Sequence, residues 1–311
     1  MAEPDGRNKS DGFLSRSVSI DLEVGRNDGV IHRFSAVRFN NGDSFTFSGG
    51  NLKSALKGLD QFVDGAEFLL GHNLIEFDAK HLAAADPELR LLKLPRLDTL
   101  RLNPLCFPRN PYHHLVKHYQ DGGLKRTQLN DPKLDAELTL GLLGDQYQAL
   151  LGMNVTDPEL SVALHWLTTV DEDSLGAASL FNDVRQSTRP TLQAAQSAIR
   201  QRFDGEICRA HANKLLSQLE SNSWPMAYAL SWLSVAGGNS VVSPWVRHAF
   251  PETTRIVQLL RDSACTDPAC HWCRTRHDAR GELERWFGFP DFRPEPADAN
   301  GHPLQQAIVE A

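Results

Sequence analysis

The order in which apolar periodicity changes along the first half of the chain constrains the fold more than any other feature. Segments with a period of two come first, a segment with helical spacing follows, and a short apolar run completes the series: residues 17–24, 31–39 and 44–47, then 52–63, then 67–71. Asn40-Asn41-Gly42-Asp43 supplies a turn between the second and third segments. Three strands, a helix and a fourth strand predict a mixed α/β sheet rather than a helical bundle.

The remainder of the chain has mainly helical patterns. Within the α/β region we expect helices at residues 77–85, 112–119 and 134–151, the last with Pro132 near its start. Further helices are predicted at residues 160–166, 194–203, 208–219 and 225–233. These patterns divide the chain into a disordered lead (1–15), an α/β domain (16–151), a helical domain of unknown role (152–260) and a cysteine-rich segment (261–311).

Composition limits the class of partner. The 311 residues carry a formal net charge of −7, which argues against a protein that coats nucleic acid through a basic surface. An acidic balance is compatible with a nuclease, whose site must itself be acidic to hold metal ions. The sequence has no run of the ~20 apolar residues needed to span a bilayer, and its polar first ten residues lack a signal core. We therefore expect a cytoplasmic protein with no membrane partner.

The acidic pair Asp21 and Glu23 ends the first predicted strand. Carboxylates two positions apart on a strand point to the same face, where they repel each other unless a cation lies between them. Hard divalent ions such as Mg²⁺ and Mn²⁺ prefer oxygen ligands, so the pair is a candidate metal site. An alternative is that the two acidic residues lie on a solvated strand edge and bind no metal.

Two further aspartates lie near predicted helix starts. Asp78 follows a strand and a turn, and Asp135 follows Asp131-Pro132. Taken singly, each aspartate is explained by the favourable interaction of a carboxylate with a helix N-terminus.

Taken together, these segments resemble the DEDD superfamily of 3′–5′ exonucleases, which have a ribonuclease H-like fold. Asp21 and Glu23 match the first family motif; Asn73, Phe77 and Asp78 match the second; Asp135 and Ala136 match the end of the third. The resemblance implies a ribonuclease H-like mixed sheet with flanking helices over residues 16–151. It also implies two Mg²⁺ or Mn²⁺ ions, with Asp21 bridging them and Glu23, Asp78 and Asp135 completing their shells.

The third motif departs from the family at the residue that helps to activate water. The family has a histidine five positions before the last aspartate, or a tyrosine four before it, where this chain has Asn130 and Asp131. Asparagine can orient a water molecule but cannot act as a general base near neutral pH. Either the metal supplies hydroxide and Asn130 positions the water, or His113, His114 or Asp131 substitutes, or catalysis is weak.

The resemblance also implies the substrate and its contacts. It predicts hydrolysis of DNA from a 3′ end, single-stranded or frayed, with Leu22, His72 and Asn73 binding the substrate. RNA is the alternative substrate, since the choice depends on contacts to the 2′-hydroxyl. A catalytically silent module that binds nucleic acid or docks onto a helicase is a second alternative.

The cysteines suggest a separate metal site. Cys265, Cys270, Cys273 and His277 place four soft ligands in thirteen residues, which favours a tetrahedral structural zinc over unliganded thiols. His271 or Cys208 could replace His277 as the fourth ligand.

Residues 283–309 resemble the segment that precedes the ATP-binding loop of RecQ-family helicases, although an ordinary amphipathic helix would give a similar pattern. The sequence has no Gly-x-x-x-x-Gly-Lys-Ser/Thr loop, so it carries no helicase motor. We expect a RecQ-type helicase as partner, in cis or in trans, in DNA repair or in defence. Trp166, Trp224, Trp232 and Trp245 are expected in a helical core, with base stacking as the alternative.

Overall fold

The computed structural model describes residues 4–110, 112, 113, 115, 131–170, 175–235, 242–261, 263–267 and 269–276. Its centre is a five-stranded sheet in the order β3-β2-β1-β4-β5, and these strands are β1 (Ser17–Val24), β2 (Ile31–Arg38), β3 (Ser44–Phe47), β4 (Phe68–Gly71) and β5 (Arg96–Asp98). β2 pairs antiparallel with β1 and β3, whereas β4 pairs parallel with β1 and β5. The predicted mixed α/β sheet with flanking helices is confirmed.

The helices of the described residues surround this sheet and extend beyond it. They are α1 (Pro4–Leu14), α2 (Leu52–Phe62), α3 (Ala79–Ala85), α4 (Thr99–Cys106), α5 (Pro132–Thr156), α6 (Pro158–Leu167), α7 (Leu175–Arg185), α8 (Leu192–Phe203), α9 (Arg209–Leu216), α10 (Ser223–Leu233), α11 (Pro244–Ala249), α12 (Glu252–Arg261) and α13 (His271–Arg276). A π-helical turn covers Leu74–Asp78, and a 3₁₀ turn covers Arg90–Lys93. None of these helices is long and apolar enough to cross a membrane.

The two faces of the sheet bury different sets of side chains. Val18, Ile20 and Leu22 of β1 belong to a cluster completed by Leu56 and Leu59 of α2. The opposite face contributes Phe68 and Leu70 of β4 and Leu97 of β5 to a second cluster, which α5 covers. Because alternate side chains of a strand point to opposite faces, the acidic pair of β1 lies on the α5 side.

The helical half of the molecule continues the second cluster without a break. This cluster runs from Phe13 through Leu143 and Tyr147 of α5 to Tyr228 and Leu260. The boundary predicted at residue 152 falls inside α5, which ends at Thr156. Residues from both predicted domains therefore share one hydrophobic core.

One local expectation was wrong, and another lies mostly outside the described residues. The lead was predicted to be disordered, but Pro4–Leu14 is helical, and the Phe13 ring lies 5.1 Å from that of Phe68 and 5.9 Å from that of Tyr147. A helix was also predicted from Tyr112, yet Tyr112 and His113 are not helical, and most of that segment lies outside the described residues. Apolar side chains at the end of the polar lead dock on the core and order it.

Candidate functional site

Asp21 and Glu23 are presented by β1, the central strand of the sheet. Both carboxylates are half-buried, and the antiparallel register with β2 shifts directly after Glu23. Arg33 is the register partner of Glu23 on β2, so its side chain emerges from the same face. The strand thus delivers two carboxylates to one face, as the spacing predicts.

Asp135 reaches the same place from the first turn of α5. Asp131 caps this helix, with its Oδ1 accepting N–H groups from Lys133 (3.1 Å) and Leu134 (3.4 Å), and Pro132 opens the first turn. Asp135 is 9% exposed. One carboxylate oxygen from each of Asp21, Glu23 and Asp135 lies within 4.8 Å of the others.

Asp78 adjoins this group without belonging to it. Its Oδ1 accepts the backbone N–H of Leu22 at 3.2 Å, beyond the last ladder pair of β1 with β4. The side chain is 2% exposed, and burial, together with the nearby charges of Asp21 and Asp98, raises the pKa of the Asp78 carboxyl well above its usual range. Three of the four predicted carboxylates therefore converge. The fourth, Asp78, accepts a hydrogen bond from the backbone of Leu22, which lies between Asp21 and Glu23.

Asp98 is a buried carboxylate that the sequence interpretation missed. It accepts backbone N–H groups from Asn73 (2.9 Å), Ile75 (3.0 Å) and Leu100 (3.0 Å). Asn73 is held in the left-handed region at φ 70°, directly before the π-helical turn that carries Asp78. Burial raises the pKa of Asp98, whereas its three N–H partners favour the charged form. Asp98 thus fixes the turn from which Asp78 projects.

The donor set suits a hard divalent cation. Closely spaced carboxylates repel each other, and a cation among them removes that penalty. Oxygen ligands are those that Mg²⁺ and Mn²⁺ prefer.

The predicted substrate residues differ in their placement. His72 Nδ1 lies 2.9 Å from the Thr99 hydroxyl, which donates to the carbonyl of Gly71, so the imidazole is tied to the end of β4. The Leu22 side chain does not face the carboxylates: it is 5% exposed in the cluster on the other face of the sheet. Any contact of Leu22 with substrate would therefore come from its backbone.

Two of the residues proposed to replace the missing histidine, Asp131 and His113, lie among the described residues. Asp131 is engaged in capping α5, and His113 is 2% exposed in a small cavity beside Tyr228 and Trp232. Asn130 and His114 lie outside the described residues.

A second cluster of metal-binding side chains is formed by cysteines. The sulfurs of Cys208, Cys265, Cys270 and Cys273 lie within 4.8 Å of one another, a set that could bind a metal such as zinc. Cys208 and Cys273 are buried, and burial raises the pKa of the Cys273 thiol to about 12. This cluster contains three of the predicted zinc ligands.

Among the described residues, the fourth member is Cys208, one of the two alternatives to His277. His277 lies outside the described residues, and so does the helicase-like segment 283–309. His271, the other alternative, is exposed on α13. Sequence spacing could not favour Cys208, because it lies far along the chain, at the N-terminus of α9.

The tryptophans are core residues, as predicted. Trp166 and Trp224 are each 5% exposed, and Trp232 and Trp245 pack partly buried against the same cluster. The Arg101 guanidinium lies 5.7 Å from the Trp224 ring and bonds to Glu76 at 2.9 Å. Trp224 therefore links the helical half to the turn that carries Asp78.

Comparisons of the chain with protein-family models, with curated proteins and with solved structures each found no match.

Proposed function

We propose that this chain is a metal-dependent 3′–5′ exonuclease that hydrolyses DNA phosphodiester bonds from a 3′ end. The observation that carries the proposal is the convergence of oxygens from Asp21, Glu23 and Asp135 within 4.8 Å, with Asp78 adjoining through Leu22. These residues come from the three segments that resemble the DEDD motifs, and they come in the same order. In this sheet β2 runs antiparallel to the other four strands. That arrangement is compatible with the ribonuclease H-like fold that the resemblance implies.

The proposed chemistry assigns the four carboxylates to two Mg²⁺ or Mn²⁺ ions. Such a pair of ions stabilises both the attacking and the leaving oxygen of a phosphodiester. Asp21 occupies the central strand and is assigned the bridging position, while Glu23, Asp78 and Asp135 complete the set. Asn130 is assigned to orient water by hydrogen bonding, since an amide cannot accept a proton near neutral pH.

The turn between β4 and α3 is proposed to hold the substrate strand. Asn73 and His72 lie at the end of β4, next to the turn that carries Asp78. In the cell, the proposed role is degradation of DNA alongside a RecQ-like helicase, in repair or in defence.

The decisive experiment combines cleavage with metal binding. DNA and RNA strands labelled at the 5′ or the 3′ end are incubated with Mn²⁺ or Mg²⁺ and the purified chain, and Mn²⁺ binding is measured separately by calorimetry. We expect stepwise shortening of 5′-labelled DNA from its 3′ end. Asp21→Ala and Asp135→Asn should abolish this shortening and weaken Mn²⁺ binding.

Asp145→Asn is the matched control, because Asp145 is an exposed aspartate on the same helix as Asp135. It should retain both cleavage and Mn²⁺ binding. Cleavage by Asp21→Ala at the rate of the unaltered chain would refute the assignment. Faster cleavage of RNA than of DNA would favour the RNA exonuclease. Binding of the labelled strands without metal and without cleavage would favour the catalytically silent module.

The proposal also includes one zinc ion at the cysteine cluster. Its role is structural, because four protein ligands leave no open position for a water or a substrate.

A further inference from the structure

We propose that Cys208 is a ligand of that zinc ion, and that the ion fastens the segment 263–276 onto the start of α9. The inference rests on the zinc ion proposed for the cysteine cluster. The further claim is that this segment docks on α9 when the zinc ion binds and detaches when the ion is removed.

The spacing of the sulfurs is close to that of a tetrathiolate. A Zn–S bond of about 2.3 Å in tetrahedral geometry places sulfurs roughly 3.8 Å apart. The four sulfurs already lie within 4.8 Å of one another, so ligation needs only a small contraction. Three of them come from one short segment, and the fourth comes from the N-cap of α9.

Backbone N–H groups are aimed at two of the sulfurs. The N–H of His211 donates to Cys208 Sγ at 3.5 Å, and the N–H of Cys265 donates to Cys273 Sγ at 3.3 Å. Such N–H groups are the kind of outer-shell partner that orients ligands in metal sites.

The attachment of this segment does not come from the two hydrophobic clusters. Among its described residues, none belongs to either hydrophobic cluster of the core. Arg276 also supports the docked position: it donates to the carbonyl of Gly205 at 3.3 Å and lies 3.9 Å from the Glu206 carboxylate, in the turn before Cys208. An ion pair this exposed to solvent stabilises little, and we assign the main attachment to the four sulfurs.

The test uses the full chain and a matched pair of variants. Zinc content is measured by elemental analysis, Co²⁺ substitution reports the number of thiolate ligands by absorption, and hydrogen exchange follows the amides of residues 205–211 and 263–276. We expect one zinc per chain and a four-thiolate cobalt spectrum. Cys208→Ser should reduce zinc affinity by more than the roughly 10- to 100-fold typical of losing an outer-shell partner, and both segments should exchange faster.

Cys106→Ser is the control, because Cys106 is the chain's fifth cysteine and bonds within the core to the carbonyl of Gln146. It should keep both the zinc and the slow exchange. Full zinc retention by Cys208→Ser would overturn Cys208 as a ligand while leaving a zinc site in the C-terminal segment. Unchanged exchange after complete zinc removal would overturn the fastening role alone. Far less than one zinc per unaltered chain would refute both proposals.

Discussion

A single buried imidazole, that of His165, shows how the fold restricts charge at the level of one residue. Its Nδ1 lies 2.6 Å from a guanidinium nitrogen of Arg185, and its ring stacks on Phe181 with centroids 5.4 Å apart. Burial, followed by the positive charges of Arg185 and Arg189, lowers the pKa of His165 to about 4. The folded protein thus keeps this histidine neutral at pH values where an exposed histidine would be protonated.

We therefore expect the free energy of unfolding to contain an acid-sensitive contribution from His165. Between about pH 6.5 and pH 4 the unfolded chain binds a proton here that the folded chain does not, so stability falls as the pH falls through this range. The effect should be on the order of 1–2 kcal/mol between pH 7 and pH 5. Urea unfolding at both pH values measures it.

The variant His165→Gln isolates this contribution, since glutamine does not titrate. Its stability should change less between pH 7 and pH 5 than that of the unaltered chain, even though its stability at pH 7 is lower. His248→Gln, at an exposed position on α11, should keep the original pH dependence. Equal pH dependence in His165→Gln and the unaltered chain would contradict the buried neutral imidazole.

Among the elements, α7 depends on one glycine for its contact with the sheet. A Cβ built on Gly176 would lie 2.1 Å from the carbonyl oxygen of Arg96 in β5. The backbone of α7 can therefore approach β5 this closely only because Gly176 has no side chain.

Gly176→Ala should destabilise the protein by about 1–3 kcal/mol, the usual range for overpacking against an element that cannot yield. Gly141→Ala is the matched control, because Gly141 is exposed in α5 and a methyl group added there would meet no heavy atom within 4 Å. Helix propensity predicts that Gly141→Ala gains about 1 kcal/mol. Thermal unfolding of both variants should give shifts of opposite sign, and a neutral Gly176→Ala would contradict the close approach.

The elements that sequence could predict are those with a strong period. β1 to β4, α2 and α5 were predicted within a few residues, because alternation and helical spacing persist over each segment. β5 was missed, since its three residues are too short for any period. Asp98 was missed with it, although an aspartate before a helix is a capping signal and could have been interpreted as one.

Some contacts in the structure can be predicted from local sequence spacing, and others cannot. The spacing of Asp21 and Glu23 predicted a shared face, since that depends only on strand geometry. Cys208 meets the other cysteines only through tertiary folding, which local sequence spacing cannot predict. The helix α1 likewise depends on packing of Phe13 against Phe68 and Tyr147.

For the whole molecule, the shared core predicts that the α/β half does not fold alone. Residues 1–156 end with α5 and lack α6, α8 and α10, which pack along the cluster that contains Leu143 and Tyr147. The fragment would expose this apolar surface, and we expect it to bind a hydrophobic dye, to lose its near-ultraviolet circular dichroism and to unfold without a cooperative transition.

In the complementary experiment, the fragment 1–156 is co-expressed with residues 157–311. Co-expression should restore a cooperative transition, because the cluster is then rebuilt from two chains. A fragment 1–156 that unfolds cooperatively on its own, with a denaturant dependence suited to its size, would show that the two halves are independent.

The length of α5 has a mechanical consequence. Its 25 residues make a rod of roughly 37 Å, with Asp135 in the first turn and with both the sheet and the helical half packed against its length. A small rotation of this rod, applied by anything that grips the helical half, would swing Asp135 away from Asp21 and Glu23. The position of Asp135 relative to the acidic pair of β1 therefore depends on how firmly α5 is held both by the sheet and by the helical half.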